Sequence, residues 1–267
     1  MAYYIYILYA LVSALHSSLG CRSNNPSIYT FAGNQLAGNT NDNGLATNAA
    51  VHNPSGVVGD KNNIYIASQN GHVIRSVSKT TKIITTIAGI PGNTGAFGNS
   101  GLGGPATSAL LNKPTGLCLD FLGNLVLADS GNNVMKRINI STGIIDTIVG
   151  SGIFDPFVYG ESVNPLSATL KSPQGCVYDS HGNLFIADML NNVIRKVDYS
   201  SGLISTYAGD GALQQSGSSG NGGTATNARL NYPYGVAVDP SNNLYIAGTT
   251  FIAYTKAVET VLTLNSL

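Results

Sequence analysis

The feature that most constrains this chain is a short motif that returns at nearly constant spacing. A proline, any residue and a glycine occur four times, as Pro54-Ser55-Gly56, Pro114-Thr115-Gly116, Pro173-Gln174-Gly175 and Pro233-Tyr234-Gly235. The prolines lie 60, 59 and 60 residues apart. Similar sequences follow the motif in different repeats, as in "GNLVLADSGNNVMKRINISTGIIDTIVG" and "GNLFIADMLNNVIRKVDYSSGLISTYAG". A constant period predicts a fold made of one supersecondary unit repeated along the chain.

Each repeat contains four short segments with strand composition. In the third repeat they cover residues 175–179, 183–187, 193–197 and 203–208, and turn residues such as Asn, Ser and Gly separate them. This pattern predicts a four-stranded antiparallel meander. One such sheet cannot bury both of its faces, so the sheets must stack on one another.

We therefore predict an all-β fold, a β-propeller of four-stranded antiparallel blades. A linear β-solenoid is the alternative, but its turns are usually shorter than this period. The predicted blades cover residues of about 34–89, 90–150, 151–209 and 210–267.

Both ends of the array depart from this pattern. Residues 27–33, "SIYTFAG", match the outer strand "LISTYAG" of the third blade and are expected to form an extra outer strand. The fourth repeat loses the pattern after Ala247, which predicts an irregular last blade. Four blades could close as a tight ring, stand as an open arc or form part of a six-bladed ring, and the irregular ending favours a truncated chain.

The repeated text resembles a known family. "GNLFIADMLNNVIRKVD", "GNLVLADSGNNVMKRIN" and "NKPTGLCLD" are similar to NHL repeats. The inserts "GNSGLGGPATSALLNKP" and "GNGGTATNARLNYP" resemble those of an extracellular, teneurin-like subgroup. The resemblance implies a β-propeller, commonly of six blades. Ser68 departs from it, because Asp129 and Asp188 stand at that place in the next two blades.

The N-terminus resembles an export signal. Residues 1–20 combine an apolar run too short to span a bilayer with small residues at Ser18 and Gly20, although no Lys or Arg precedes the run. We expect a secreted, extracellular protein with no stable membrane span after signal removal. A membrane anchor formed by the same apolar segment is the alternative.

Composition excludes some classes of partner. Lys and Arg number 13 and so do Asp and Glu, and no basic run occurs, which argues against nucleic acid. The glycine-rich inserts lack the Lys-Ser/Thr pair of a phosphate-binding loop, so no cofactor is predicted.

Cysteine chemistry is not expected to carry the function. Cys118 lies two places after its glycine and Cys176 one place after its own, so the two side chains should point to opposite faces of their sheets. We therefore expect buried free thiols and no disulfide between them.

The long inserts are predicted to crowd one rim of the propeller, together with the turns between the second and third strands. Loops held by a rigid scaffold are common binding sites. Polar residues that vary within the fixed motif are candidates for a ligand at the mouth of a central channel. They are His52, Asn112, Lys171 and Asn231 before the prolines, and Ser55, Thr115, Gln174 and Tyr234 after them.

The other chemistry-bearing residues have structural explanations. Aspartates recur at the ends of the first and second strands, which favours turn and cap hydrogen bonds over calcium binding or acid catalysis. Arg75, Lys136 and Arg195 occupy equivalent places and are expected to pair with carboxylates or lie along the blade edge. The histidines have no metal-ligand spacing, so no metal site is predicted. Asn139 begins the sequon Asn-Ile-Ser and is a candidate for N-glycosylation.

Three functional hypotheses remain open at this point. The first is a secreted, non-enzymatic binding module that docks a protein or glycan on the insert-bearing rim. The second is a lyase or hydrolase on the same scaffold with its site at the channel mouth. The third is a truncated fragment without independent function.

Overall fold

The chain folds into four antiparallel β-sheets, one for each repeat. The structure is a computed structural model that describes residues 28–40, 42–91, 103–153, 160–211, 222–249, 252–256 and 260–264. All of these sheets lie in the compact unit Ala32–Leu267. The predicted signal at residues 1–20 is outside the described residues, and residues 28–33 carry no strand, so the extra outer strand at 27–33 stays a prediction.

The first two sheets have five strands each, because the preceding insert adds a two-residue strand to the outer edge. The first blade consists of β1 (Gly44–Leu45), β2 (Pro54–Gly59), β3 (Asn63–Ser68), β4 (Val73–Ser78) and β5 (Ile83–Ala88), in the order β1-β5-β4-β3-β2. The second consists of β6 (Gly104–Pro105), β7 (Pro114–Leu119), β8 (Leu125–Asp129), β9 (Val134–Ile138) and β10 (Ile144–Val149), in the order β6-β10-β9-β8-β7.

The third and fourth sheets are four-stranded meanders. The third contains β11 (Pro173–Tyr178), β12 (Leu184–Asp188), β13 (Val193–Val197) and β14 (Ile204–Ala208). The fourth contains β15 (Gly235–Val238), β16 (Leu244–Ala247), β17 (Ile252–Lys256) and β18 (Thr260–Leu264). The all-β fold of four-stranded blades is therefore confirmed, and the sheets form an open arc.

The fourth blade has its full set of strands although its sequence departs from the repeat. Its second turn is shorter than the equivalent turn of the third blade. Ala247 pairs with Ile252 across the turn, whereas Ala187 pairs with Ile194 in the third blade. Backbone pairing tolerates the loss of the Asn pair, because the ladder uses main-chain groups that every residue except proline supplies in full.

Among the described residues, short 3₁₀ helices occur in two kinds of place. Four lie in the last part of the inserts, at Ala46–Asn48, Ala106–Ser108, Pro165–Ser167 and Ala225–Asn227, and two lie between second and third strands, at Ser130–Asn132 and Met189–Asn191. Gly131 N donates to Asn112 O at 2.8 Å and Leu190 N to Lys171 O at 3.1 Å. The inserts and these turns therefore share one rim, as predicted from the meander. Among the described residues, no helix is long and apolar enough to cross a bilayer.

The hydrophobic core lies between successive blades. Along β8, Leu125 and Leu127 pack into the cluster shared with the first blade, while Val126 and Ala128 pack into the cluster shared with the third. Both faces of the strand are buried, which explains why "LVLAD" is apolar without alternation. Leu111, Leu170 and Leu230, at the ends of the inserts, are buried in successive inter-blade clusters.

The structure corrects the prediction for the cysteines. Cys118 and Cys176 form a disulfide with a Cα–Cα distance of 5.8 Å, and both are buried in the cluster between the second and third blades. Their side chains do leave opposite faces of their own sheets. Stacked blades place the front face of one sheet against the back face of the next, so opposite faces are the ones that meet. The inference against a disulfide treated the two sheets as if they were one.

Candidate functional site

The Pro-x-Gly motif places the innermost strands of neighbouring blades in direct contact. A Cβ atom on Gly56 or Gly116 would overlap the carbonyl oxygen of Thr115 or Gln174 in the next blade, and one on Gly175 would lie 2.6 Å from Tyr234 O. At Gly235, the corresponding glycine of the fourth blade, the nearest atom would be Ala247 Cβ at 3.3 Å. The motif glycine is therefore required wherever another blade packs against it.

The residue just before each proline has a left-handed backbone, with φ of 51°, 50°, 51° and 47° at Asn53, Lys113, Ser172 and Tyr232. In three blades a side chain of the preceding blade accepts its N–H. The pairs are Lys113 N to His72 Nδ1 at 3.0 Å, Ser172 N to Asn133 Oδ1 at 2.8 Å and Tyr232 N to Asn192 Oδ1 at 2.9 Å. The second residue of the Asn pair thus joins one blade to the next, and His72 replaces it in the first blade.

The aspartates at the ends of the second strands cap the inserts. Asp129 Oδ1 accepts from Asn112 N at 2.6 Å, and Asp188 Oδ1 accepts from Lys171 N at 2.7 Å. The first Asn of each pair donates to the other carboxylate oxygen, at 2.8 Å from Asn132 and 2.7 Å from Asn191. Both carboxylates are fully buried. The repeated Asp-x-x-Asn text therefore has a complete structural explanation.

Ser68 performs the same task in the first blade. Its Oγ accepts from His52 N at 3.0 Å and donates towards Asn39 Oδ1 at 2.8 Å. A hydroxyl can both donate and accept, so it replaces the aspartate without placing a charge in the interior. The departure from the family pattern at this position is therefore a change of polar group that keeps the bond to the insert.

Buried cations lie beside these caps. Arg75, Lys136 and Arg195 are fully buried, and their nearest carboxylates are Asp42 at 2.7 Å, Asp129 at 3.9 Å and Glu161 at 3.6 Å. The expected pairing with carboxylates is confirmed. Burial raises the pKa of Asp129 to about 6 and that of Asp188 to about 7, and it lowers the pKa of Lys136. Both carboxyl groups lie fully buried between the packed strands.

The eight predicted rim residues do not share one environment. Thr115 is 3% exposed, and its hydroxyl lies 2.5 Å from Ser130 Oγ and 3.4 Å from Pro173 O of the next blade. Ser55 is exposed and donates to Pro114 O at 3.1 Å. Thr115, and in part Ser55, therefore hold neighbouring blades together.

The other six predicted rim residues reach the surface in part. They are His52, Asn112, Lys171, Gln174, Asn231 and Tyr234, all half-buried. Gln174 Nε2 donates to Ser172 Oγ at 3.1 Å, and the other five use backbone groups to fix the start of the inner strand. Their role in ligand binding stays a prediction.

Asn139 lies in the turn between β9 and β10, on the rim opposite the inserts. Its Oδ1 accepts from Ser141 N at 3.0 Å, Ser141 Oγ at 2.7 Å and Thr142 N at 3.1 Å. Asp198 makes the same contacts in the third blade, to Ser200 and Ser201. The asparagine therefore has a turn-capping role in the fold, and its glycosylation stays a prediction.

Within the part of the chain that the structure describes, no three His, Cys, Asp or Glu side chains converge as a metal site. The structure does contain two surface clefts that the sequence did not reveal. One, of about 350 Å³, includes Asn124 and Asn139, and the other, of about 470 Å³, includes Asn63 and Gly143. Both open beside the short turns, and the second also includes Pro105 and Thr107 of an insert.

Comparison with known proteins supports the same architecture. A family model described as "Beta-propeller repeat" matches residues 205–250. The chain is 26% identical to NHL repeat-containing protein 2 of Gallus gallus, over 77% of this chain and 39% of that protein. It is 28% identical to Teneurin-1 of Mus musculus, over 77% of this chain and 8% of that protein.

These matches, together with the repeated sequence, support an NHL-repeat β-propeller family. The chain spans about two fifths of the chicken NHL protein's length. Among solved structures, it is similar to a streptogramin B lyase with a TM-score of 0.50 and 15% identity, over 80% of this chain and 54% of that one. At that identity the likeness shows the fold alone. Among the repeats of this chain, the recurrent Gly and Asn residues are those that join blade to blade.

Proposed function

We propose that this NHL propeller is an exported, non-enzymatic interaction module that docks a protein or glycan on its insert-bearing rim. The proposal rests on the hydrogen bonds that the recurrent polar residues already make inside the fold. Asp129, Asp188 and the Asn pairs are buried and hydrogen-bonded within and between blades. These buried carboxylates and amides therefore stabilise a rigid scaffold, and the residues that vary between repeats remain for recognition.

Two features support export. The first is the signal-like segment at residues 1–20. The second is the disulfide between Cys118 and Cys176, because such bonds persist mainly in oxidising compartments. Expression of the full chain in a secretory host should yield a secreted product that begins at Cys21 by mass spectrometry. Its peptides should contain the Cys118–Cys176 cross-link without reduction.

The binding role is tested on the predicted rim. The purified protein would be screened against extracellular proteins and immobilised glycans, and binding would be measured again with K171A/Y234A. Both side chains are partly exposed at the starts of inner strands, so their loss should weaken binding at least tenfold while the melting temperature changes little. The double variant K61S/N62H changes the equivalent turn of the first blade, away from Phe121 and Tyr199, and is the control.

The competing enzymatic hypothesis has a clear signature. A lyase or hydrolase at the channel mouth would need convergent acids or histidines, with or without a metal. Elemental analysis that finds a stoichiometric divalent ion, released by His52→Ala, would overturn the proposal in favour of an enzyme. If K171A/Y234A binds the ligand as tightly as the wild type does, the ligand does not dock on the insert-bearing rim.

A further inference from the structure

The turn between the first two strands of a blade is built four times in this chain, and one copy is unusual. Each copy begins with an aspartate, and the enclosed residues are Lys61-Asn62, Phe121-Leu122, Ser180-His181 and Pro240-Ser241. Asp120, Asp179 and Asp239 cap their turns with the same pattern of hydrogen bonds. Phe121 is 64% exposed and Leu122 is 74% exposed. Since Lys-Asn, Ser-His and Pro-Ser serve in the other copies, the turn itself does not need the Phe-Leu pair.

Phe121 belongs to an aromatic platform that joins two blades. Its ring meets that of Tyr199 edge to face, with centroids 5.7 Å apart and planes at 90°. Tyr199 is 63% exposed, packs over Gly182 and donates its N–H to Asn183 Oδ1 at 3.0 Å. Two rings held in this way present a fixed apolar surface to solvent, at little entropic cost for a ligand.

A polar cleft adjoins this platform. The cleft has a volume of about 350 Å³, and its lining includes Leu122, Asn124, Arg137 and Asn139. That volume is at the lower end of the range of about 300–1,000 Å³ found for small-ligand sites. Leu122 lines the cleft and directly follows Phe121 of the platform in the sequence, so the cleft and the platform are neighbours.

The cleft contains polar groups that the fold does not use. Asn124 Nδ2 donates to Asp120 and Asn139 Oδ1 accepts from the turn, but the opposite end of each amide has no hydrogen bond within the described part of the chain. The guanidinium of Arg137 is likewise without a hydrogen bond there and is exposed. These groups offer both donors and acceptors to a bound molecule.

Charge limits the class of ligand. Arg137 stands opposite Asp146 in the pairing of β9 and β10, and Asp146 also lines the cleft. A phosphate or other strong anion would approach Asp146 as well as Arg137, so the cleft has no net attraction for it. An entirely apolar partner would leave the amides and the guanidinium without partners.

We propose that the platform and cleft between the second and third blades bind a neutral oligosaccharide. A sugar ring has an apolar C–H face that fits Phe121 and Tyr199, and hydroxyls that both donate and accept hydrogen bonds to Arg137 and the two asparagines. The site lies beside the short turns, where Gly103 N of the insert donates to Asp146 Oδ1 at 3.1 Å, and its named residues differ from the eight predicted rim residues. It therefore stands whether or not those eight residues dock a partner.

The test uses the full protein and four trisaccharides: cellotriose, chitotriose, maltotriose and mannotriose. Each is titrated by calorimetry and by saturation-transfer NMR. At least one trisaccharide should bind, and the aromatic protons of the protein that respond to it should include those of Phe121 or Tyr199. Two variants borrow residues from other blades: F121S/L122H takes the turn of the third blade, and R137S takes the residue that the first blade has at Ser76. Each should weaken binding tenfold or more.

One variant serves as the control. K171A/Y234A changes the insert-bearing rim, so it should bind the trisaccharide as the wild type does. Failure of all four sugars to bind would overturn the proposal, as would binding that F121S/L122H leaves unchanged. Loss of a protein partner in F121S/L122H, with no response to any sugar, would show a protein-docking patch and overturn it equally.

Discussion

At the scale of single residues, the repeated polar groups of this propeller act at the boundaries between blades. The motif glycine admits the carbonyl of the next blade, and the second residue of the Asn pair accepts an N–H from it. These bonds are buried, where an unpaired group is costly. Substitutions at these places should therefore lower the unfolding free energy most where another blade packs directly against the residue.

Gly116→Ala should be strongly destabilising. The new Cβ would overlap Gln174 O and lie 2.8 Å from Gly175 Cα, and backbone atoms of a packed strand cannot move aside easily. We expect a loss of about 1–3 kcal/mol or more in unfolding free energy, measured by urea denaturation. Gly235→Ala is the matched control, since its Cβ would meet only Ala247 Cβ at 3.3 Å. Equal effects of the two substitutions would refute the inter-blade role.

His72→Asn should change the pH dependence of stability. His72 Nδ1 accepts from Lys113 N, which requires the unprotonated ring. Burial lowers the pKa of His72, with further lowering by Lys113 and His52. Between the folded pKa of His72 and about 6.5 the unfolded chain binds more protons at this residue. The contribution of His72 to wild-type stability should therefore fall as the pH drops below about 6.5. Asparagine performs the same task in Asn133 and Asn192 without titrating in this range.

The measurement is the difference in unfolding free energy between the wild type and H72N from pH 8 to pH 5. Asp129 and Asp188, whose pKa values are raised to about 6 and about 7, change stability in the opposite direction, because their folded forms gain protons first. They are present in both proteins and cancel in the difference. A difference that does not vary with pH would contradict the role of His72.

At the scale of elements, the inserts are structural as well as variable. In the second to fourth repeats their final residues form a 3₁₀ turn and place a leucine between blades, so each of these inserts closes the core of its own boundary. The two-residue strands β1 and β6 were not expected, because they arise from contact with the outer edge of a sheet that lies distant in sequence.

Leu170→Ala should cost about 2–5 kcal/mol, because Leu170 is fully buried in the cluster between the second and third blades. Leu166 provides the comparison, since it belongs to the same insert and is 52% exposed. Leu166→Ala should change the unfolding free energy by less than about 0.5 kcal/mol. Thermal and urea denaturation of the two variants would measure both effects. Similar losses for both would mean that the insert does not close the core.

At the scale of the whole molecule, stability is shared among boundaries between neighbouring blades. Within the described part of the chain, three hydrophobic clusters lie between neighbouring blades, as in other repeat proteins. The boundary between the second and third blades differs from the others, because the Cys118–Cys176 disulfide crosses it. That boundary also carries the aromatic platform of Phe121 and Tyr199. The proposed saccharide site thus lies where two blades are covalently joined.

Removal of the disulfide should weaken the whole array. The double variant C118A/C176A should lose about 2–5 kcal/mol, and its melting temperature should not respond to dithiothreitol. The wild type should melt lower when dithiothreitol is present. A wild-type melting temperature that is the same with and without reductant would show that the cross-link does not form in solution.

The sequence by itself determined the fold class, the four repeats and the shared rim of inserts and second turns. It did so because the period, the apolar segments and the turn residues act locally within each blade. It did not determine which polar residues face solvent. Thr115 and Gln174 occupy the same motif position, yet Thr115 is buried against the third blade and Gln174 is partly exposed.

Only the tertiary structure decided how residues of different blades meet. Cys118 and Cys176 leave opposite faces of their sheets, and stacking brings those faces together. Phe121 and Tyr199 come from different turns of different blades, and no spacing in the sequence links them. The physical reason is that a repeat specifies one blade at a time, whereas the rotation between blades sets which surfaces touch and which stay open for a ligand.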